Sequence, residues 1–129
     1  MQTLETAVIN VNQYTLAGSS DDFAATISAL AERTLSVGHK GVETYRWYVN
    51  ADAGTAGALI VYADAAAWLA HHHMAYQWPE MAALQATVSL TQLTVFGQLS
   101  PEVDELLANA GLDFAHYPTW TAGFQRPTG

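Results

Sequence analysis

Residues 64–73 read Asp-Ala-Ala-Ala-Trp-Leu-Ala-His-His-His and hold the groups best able to move a proton. On a helix starting at Asp64, positions 64, 68, 71 and 75 share one face, and His72 adjoins it at i+4 from Trp68. An imidazole titrates near neutrality, so His71 or His72 beside an aromatic slab suits the role of general base towards an acidic phenol. The plain alternative is Trp68 in the core with the histidines on its rim. Consecutive helical residues point about 100° apart. His71, His72 and His73 therefore do not converge on one ion, H-x-x-x-H and H-E-x-x-H spacings are missing, and no metal site is expected. Asn10 and Asn12 interrupt an apolar run, and their amides could hold a carbonyl or phenol oxygen if that face lines a cavity. Arg46, one of four cations, alternates with Tyr48. Its guanidinium suits an anionic oxygen or an enolate, or equally a salt bridge at a dimer edge. Tyr45, Trp47, Tyr62, Trp78 and Phe96 read as core or interface.

These groups need elements to position them. Residues Leu4–Tyr14 form a strand pattern, with Ala7, Ile9 and Val11 on one side and Val8, Asn10, Asn12 and Tyr14 on the other. Ser19 and Asp22 resemble a capping box. It opens a helix whose apolar stripe is Phe23, Ile27, Leu30 and Thr34, ending near Gly38. Val42–Val49 and Ala56–Tyr62 are strands joined by a five-residue hairpin connection, Asn50–Gly54. Asp64 stands at an N-cap. Pro79 cannot lie inside the following helix and is expected at the first turn of a second piece, Glu80–Ala86. Ser89–Leu99 is a fourth strand, Ser100-Pro101-Glu102 opens a short helix closed by Gly111, and Phe114–Arg126 is an irregular or strand-like tail.

The order is β-α-β-β-α-β, the split βαβ of an α+β, ferredoxin-like sheet with helices on one face. The chain of 129 residues reads as one domain, 1–129, with 100–129 an extension packing on the body or a partner. Twelve acidic residues face four basic ones, and none of the basic ones lies between Trp47 and Gln125. Phosphate neutralisation needs a basic stripe, so nucleic acid and anionic membrane surfaces are not expected partners. No apolar run is long enough to span a bilayer, and residues 1–17 lack the pattern of a signal peptide. The chain has no cysteine, which removes disulfides, thiolate metal sites and cysteine nucleophiles, and a cytoplasmic protein is expected. Only 12% of residues are charged against 50% hydrophobic. With both sheet faces carrying large apolar groups, the helix-free face, with Val8, Asn10, Arg46 and Tyr48 as members, is expected to meet a second copy.

Three stretches resemble the antibiotic biosynthesis monooxygenase family: the Asn10 strand, the Tyr62–His71 junction and the closing Gly123-Phe124-Gln125-Arg126. The resemblance covers most of residues 4–126. It implies a dimeric α/β barrel made from two sheets face to face, with one pocket per subunit between sheet and helices. Family monooxygenases act on quinols or polyketides with O2 and without metal or flavin, using an Asn four residues before a Trp; here that pair is Asp64 and Trp68. Haem-degrading relatives combine a first-strand Asn with a Trp and a His, for which Asn10, Tyr62 and His71 or His72 are the nearest positions. The expectation is a cofactor-independent monooxygenase with O2 as co-substrate, acting on a small aromatic, quinol or polyketide-like molecule. His71 or His72 would take a phenol proton, Asn10 and Arg46 would hold the oxyanion, and Trp68, Tyr62, Tyr48, Asn12 and Asp64 would shape the substrate site. The alternatives are a non-catalytic small-ligand or dimerisation module and, less favoured, haem binding or degradation.

Overall fold

A computed structural model describes residues 4–127; residues 1–3 and 128–129, the ends of the expected domain, lie outside it. Five strands, β1 (Val8–Leu16), β2 (Val42–Asn50), β3 (Thr55–Tyr62), β4 (Val88–Phe96) and β5 (Ala115–Tyr117), form one mixed sheet in the order β2-β3-β1-β4-β5. The first four pair antiparallel, and β5 runs parallel to β4. The helices are α1 (Ser20–Val37), α2 (Ala65–Ala75), α3 (Pro79–Thr87) and α4 (Pro101–Asn109). The architecture is α+β and ferredoxin-like, and the sheet within one chain is open rather than closed into a barrel.

Local chemistry accounts for the element ends. Ser19 Oγ accepts the Asp22 N–H at 3.0 Å and Asp64 Oδ1 accepts the Ala67 N–H at 2.8 Å. Each satisfies a donor that has no partner inside its helix, worth about 1 kcal/mol. The α1 stripe Phe23, Ile27, Leu30 and Thr34 is buried as its spacing requires. Pro79 occupies the first turn of α3, where its missing N–H costs nothing. Gly54, at φ +66°, turns the β2–β3 hairpin through the left-handed region.

The sequence reading differs from the structure in two places. Residues 4–6 are a turn, and β1 instead runs on to Leu16. The tail, expected as irregular or strand-like over Phe114–Arg126, is a strand at Ala115–Tyr117 alone, where it pairs the edge left free by Thr94–Phe96, and is irregular beyond. The second difference concerns faces. The β2–β3 register shifts between Val42 and Thr44, a bulge at Glu43. A bulge adds one residue to one strand and reverses its alternation. Beyond it Tyr45 pairs with Ile60 and Trp47 with Ala58, so both turn to the helix-covered side while Arg46 and Tyr48 turn away. Ile60 also pairs with Asn10. Val8 and Asn10 therefore lie on the helix-covered face, 0% and 3% exposed, and not beside Arg46 and Tyr48 on the helix-free face.

A polar cavity wall beneath the second helix

The core between sheet and helices is not filled. A cavity of about 300 Å³ opens there, walled by β1, β2, β3 and β4 below and by α2, α3 and α4 above. Asn10, Asn12, Tyr62, Trp68, His71 and His72 all line it. Arg46 and Tyr48 do not, since the bulge sends them to the opposite face, where Arg46 sits 5.8 Å over the Tyr48 ring. Arg46 therefore cannot share an oxyanion with Asn10. Asp64 is also outside the cavity wall, its carboxylate occupied as the cap of α2.

The hydrogen bonds within the wall fix the direction of several side chains. Trp68 Nε1 donates to Asn10 Oδ1 at 3.2 Å, joining α2 to the middle of the sheet. With its oxygen used, the Asn10 amide has its Nδ2 hydrogens left for a ligand. The His72 ring stacks on Trp68 at 3.7 Å between centroids and 20° between planes. His72 Nδ1 lies 2.7 Å from the Trp68 carbonyl oxygen. A carbonyl only accepts, so Nδ1 carries the hydrogen and Nε2 of the neutral ring holds a free lone pair. His71 sits edge-on to Tyr45 and to Trp78 and lies 5.8 Å from the Tyr62 ring.

Burial governs the protonation of these groups. Desolvation pushes His71 down to about 4, with nearby His39 adding to it, and pushes His72 down to about 4 against the pull of the Trp68 carbonyl. Both imidazoles are neutral at pH 7. Burial raises the hydroxyls of Tyr14 and Tyr45 to about 12, and raises Tyr62 well above its ordinary value. All three phenols stay protonated and able to donate.

Some of these buried polar atoms are left unsatisfied. Asn12 donates through Nδ2 to the Tyr14 hydroxyl at 2.8 Å, but its Oδ1 has no partner, and neither has His71 Nδ1. Trp47 Nε1 makes no hydrogen bond of good geometry and has only a weaker interaction with the Tyr45 hydroxyl. An unpaired buried polar group costs about 1–3 kcal/mol. All three residues line the same cavity, as a ligand-binding wall would arrange them.

Sequence reasoning did not name Tyr14, Tyr45 or Trp47 as site residues. Tyr14 shared the alternation of Asn10 and Asn12, so a signal for it existed. Tyr45 and Trp47 were hidden by the bulge, which is invisible without the pairing. Among the described residues no group of three His, Cys, Asp or Glu side chains is placed to hold a metal ion, and His73 is exposed.

Comparison with solved structures places this architecture. MupZ from Pseudomonas fluorescens superposes with a TM-score of 0.67 at 19% identity, over 95% of this chain and 96% of MupZ. The chain has the same fold. SnoaB, a cofactor-independent oxygenase from Streptomyces nogalater, matches with a TM-score of 0.57 at 18% identity, over 74% of this chain and 95% of its own. A putative antibiotic biosynthesis monooxygenase from Bacteroides thetaiotaomicron matches at 0.53 and 14%. No protein-family model and no curated protein sequence matches the chain.

Proposed function

We propose that this protein is a cofactor-independent monooxygenase whose substrate is a phenol or quinol-type ring bound against Asn10, Trp68, His71 and His72. The observation that carries the reading is the fixed His72 ring. Its Nδ1–H is held by the Trp68 carbonyl at 2.7 Å, which leaves Nε2 as the free base of a ring that lines the cavity. The description of SnoaB as a cofactor-independent oxygenase supports the same chemistry on this fold.

His72 Nε2 takes the proton of a phenol or of its keto tautomer. An imidazole so hard to protonate accepts one only as an anion develops beside it, so ion pair and oxyanion form together. The Asn10 Nδ2 hydrogens hold that oxygen. The delocalised carbanion passes electrons to O2 and forms a C–O bond, giving a peroxide that His72 reprotonates. Loss of water from the resulting hydroperoxide carbon, which carries two hydrogens in the keto tautomer (one of them the hydroxyl proton in the phenol), leaves a carbonyl. One O2 is consumed, one oxygen atom enters the product and one leaves as water, and the substrate supplies all four electrons.

A second copy of the chain is proposed on the helix-free face, where Tyr48 and Leu59 and the Phe96–Tyr117 stack are exposed. The enzyme reading is tested by O2 uptake across a panel of phenols and quinols. Uptake above the boiled control, lost in His72→Gln while binding persists, is the expected result. Binding without uptake across the panel would make the protein a ligand-binding module instead.

A further inference from the structure

The cavity wall is divided. On the side of β1, β2, β3 and α2 stand its amides, phenols, indoles and imidazoles, with Ile60 the one aliphatic residue among them. On the side of β4, α3 and α4 the wall is Val88, Leu90, Leu93, Met81, Leu84 and Leu107. The polar exception there, Gln85, is solvent-exposed. A second bulge produces part of this surface. The β1–β4 register shifts between Gln13 and Tyr14, skipping Thr91, so that Leu90, still 37% exposed, lies on the cavity side with buried Leu93.

Size and charge restrict what can fill both halves. A single benzene ring fits a cavity of about 150 Å³. The volume here is about 300 Å³, so one ring against Asn10 and His72 leaves roughly half of it, the aliphatic half, unfilled. Among the described residues no Lys, Arg, Asp or Glu lines the cavity, and the chain as a whole carries net charge −8. A carboxylate or phosphate in the aliphatic half would lie among leucines, away from the imidazoles of His71 and His72, and would be buried with no counter-charge.

We propose that the natural ligand is an uncharged hydroxylated ring bearing an aliphatic tail, and that β4, α3 and α4 form the tail subsite. The ring half of this inference rests on the site reading above; the tail half rests on the leucine wall alone. α4 thereby acts as a specificity element. It is short, opened by Pro101 and capped by Ser100, and it buries Val103 and Leu107 while lending Leu106 and Leu107 to the cavity.

The test is anaerobic calorimetry of the wild-type chain with hydroquinone and its 2-alkyl derivatives of increasing length, followed by O2 uptake on the same series. Each methylene buried against leucine should tighten Kd about 4-fold, levelling off once the tail reaches α4. A sulfonated alkylhydroquinone should bind at least 10-fold more weakly than its neutral parent. Leu106→Trp, which fills the tail subsite, should flatten the series. Met81→Trp provides the same block from α3 if the first variant does not fold, and Leu35→Trp on the exposed side of α1 should leave the slope unchanged. Equal Kd along the series, or a slope untouched by both blocking variants, overturns the tail subsite. A graded series without O2 uptake keeps the subsite and removes the oxygenase reading, whereas uptake without gradation does the reverse.

Discussion

The two faces of this sheet are made from the same strands and differ by one residue of phase. On the helix-covered face Asn10, Asn12, Tyr14, Tyr45, Trp47 and Tyr62 converge beneath α2. On the other face Arg46, Tyr48, Leu59 and Phe96 look outward. That face has a groove of its own, about 320 Å³ between Ile9, Val61, Phe96 and the tail residues Tyr117 and Trp120. The contrast lies in polarity under burial. Among the described residues, the three buried side-chain polar atoms that lack a hydrogen bond of good geometry all belong to the first cavity and none to the second groove. Unsatisfied polarity is tolerated where a ligand completes it, whereas exposed apolar side chains mark a surface for association.

Four perturbations separate the faces, from the largest expected effect to the smallest. Trp68→Ala removes a fully buried indole, the Asn10 partner and the slab under His72, and should cost about 3–5 kcal/mol in urea unfolding. Acid comes next. His71, 2% exposed, is held near 4, whereas in the unfolded chain it titrates at its ordinary value of 6.5. Between those values the unfolded state binds a proton that the folded state refuses, so stability falls as pH drops from about 6.5 to about 4. Above that window the group has no effect. The loss should be at most about 3 kcal/mol, measured by denaturant midpoints across pH, and smaller in His71→Gln. His72 acts in the same direction, and Tyr45, Tyr62 and His39 are the other titratable groups around His71. Third, Asn10→Ala leaves the Trp68 N–H unpaired in the core and should cost about 1–3 kcal/mol, along with ligand affinity. Smallest is Tyr48→Asp, expected within about 0.5 kcal/mol in stability and without effect on cavity binding. Its effect should appear in sedimentation, as a shift towards monomer. A Tyr48→Asp variant that loses cavity binding would erase the distinction between the faces.

The elements were readable because their signals are local. The stripe Phe23, Ile27, Leu30 and Thr34, the caps at Ser19 and Asp64, and the break at Pro79 each follow from residues within a turn or two. The stacking of Trp68 with His72 was legible for the same reason, as an i+4 pair on one helix. Facing between strands is not local. It depends on register, and the bulges opposite Val61 and at Thr91 change register without any sequence mark as plain as Gly or Pro. Placing Arg46 with Asn10 was the result of that gap. Asp64 carries two expectations, because a carboxylate one turn before Trp68 fits a site and a helix cap equally well by spacing; the Ala67 N–H bears out the cap, and the side chain is not on the cavity wall.

The most direct measurement of the central claim is the O2-uptake rate of wild type, His72→Gln and Arg46→Ala side by side, on whichever quinol the wild type oxidises fastest. Loss of a general base lowers turnover by about 10²–10⁴-fold. His72→Gln should therefore fall at least 100-fold while Arg46→Ala stays within 2-fold of wild type. A full rate in His72→Gln, or an equal collapse in Arg46→Ala, would contradict the assignment of the chemistry to the helix-covered face.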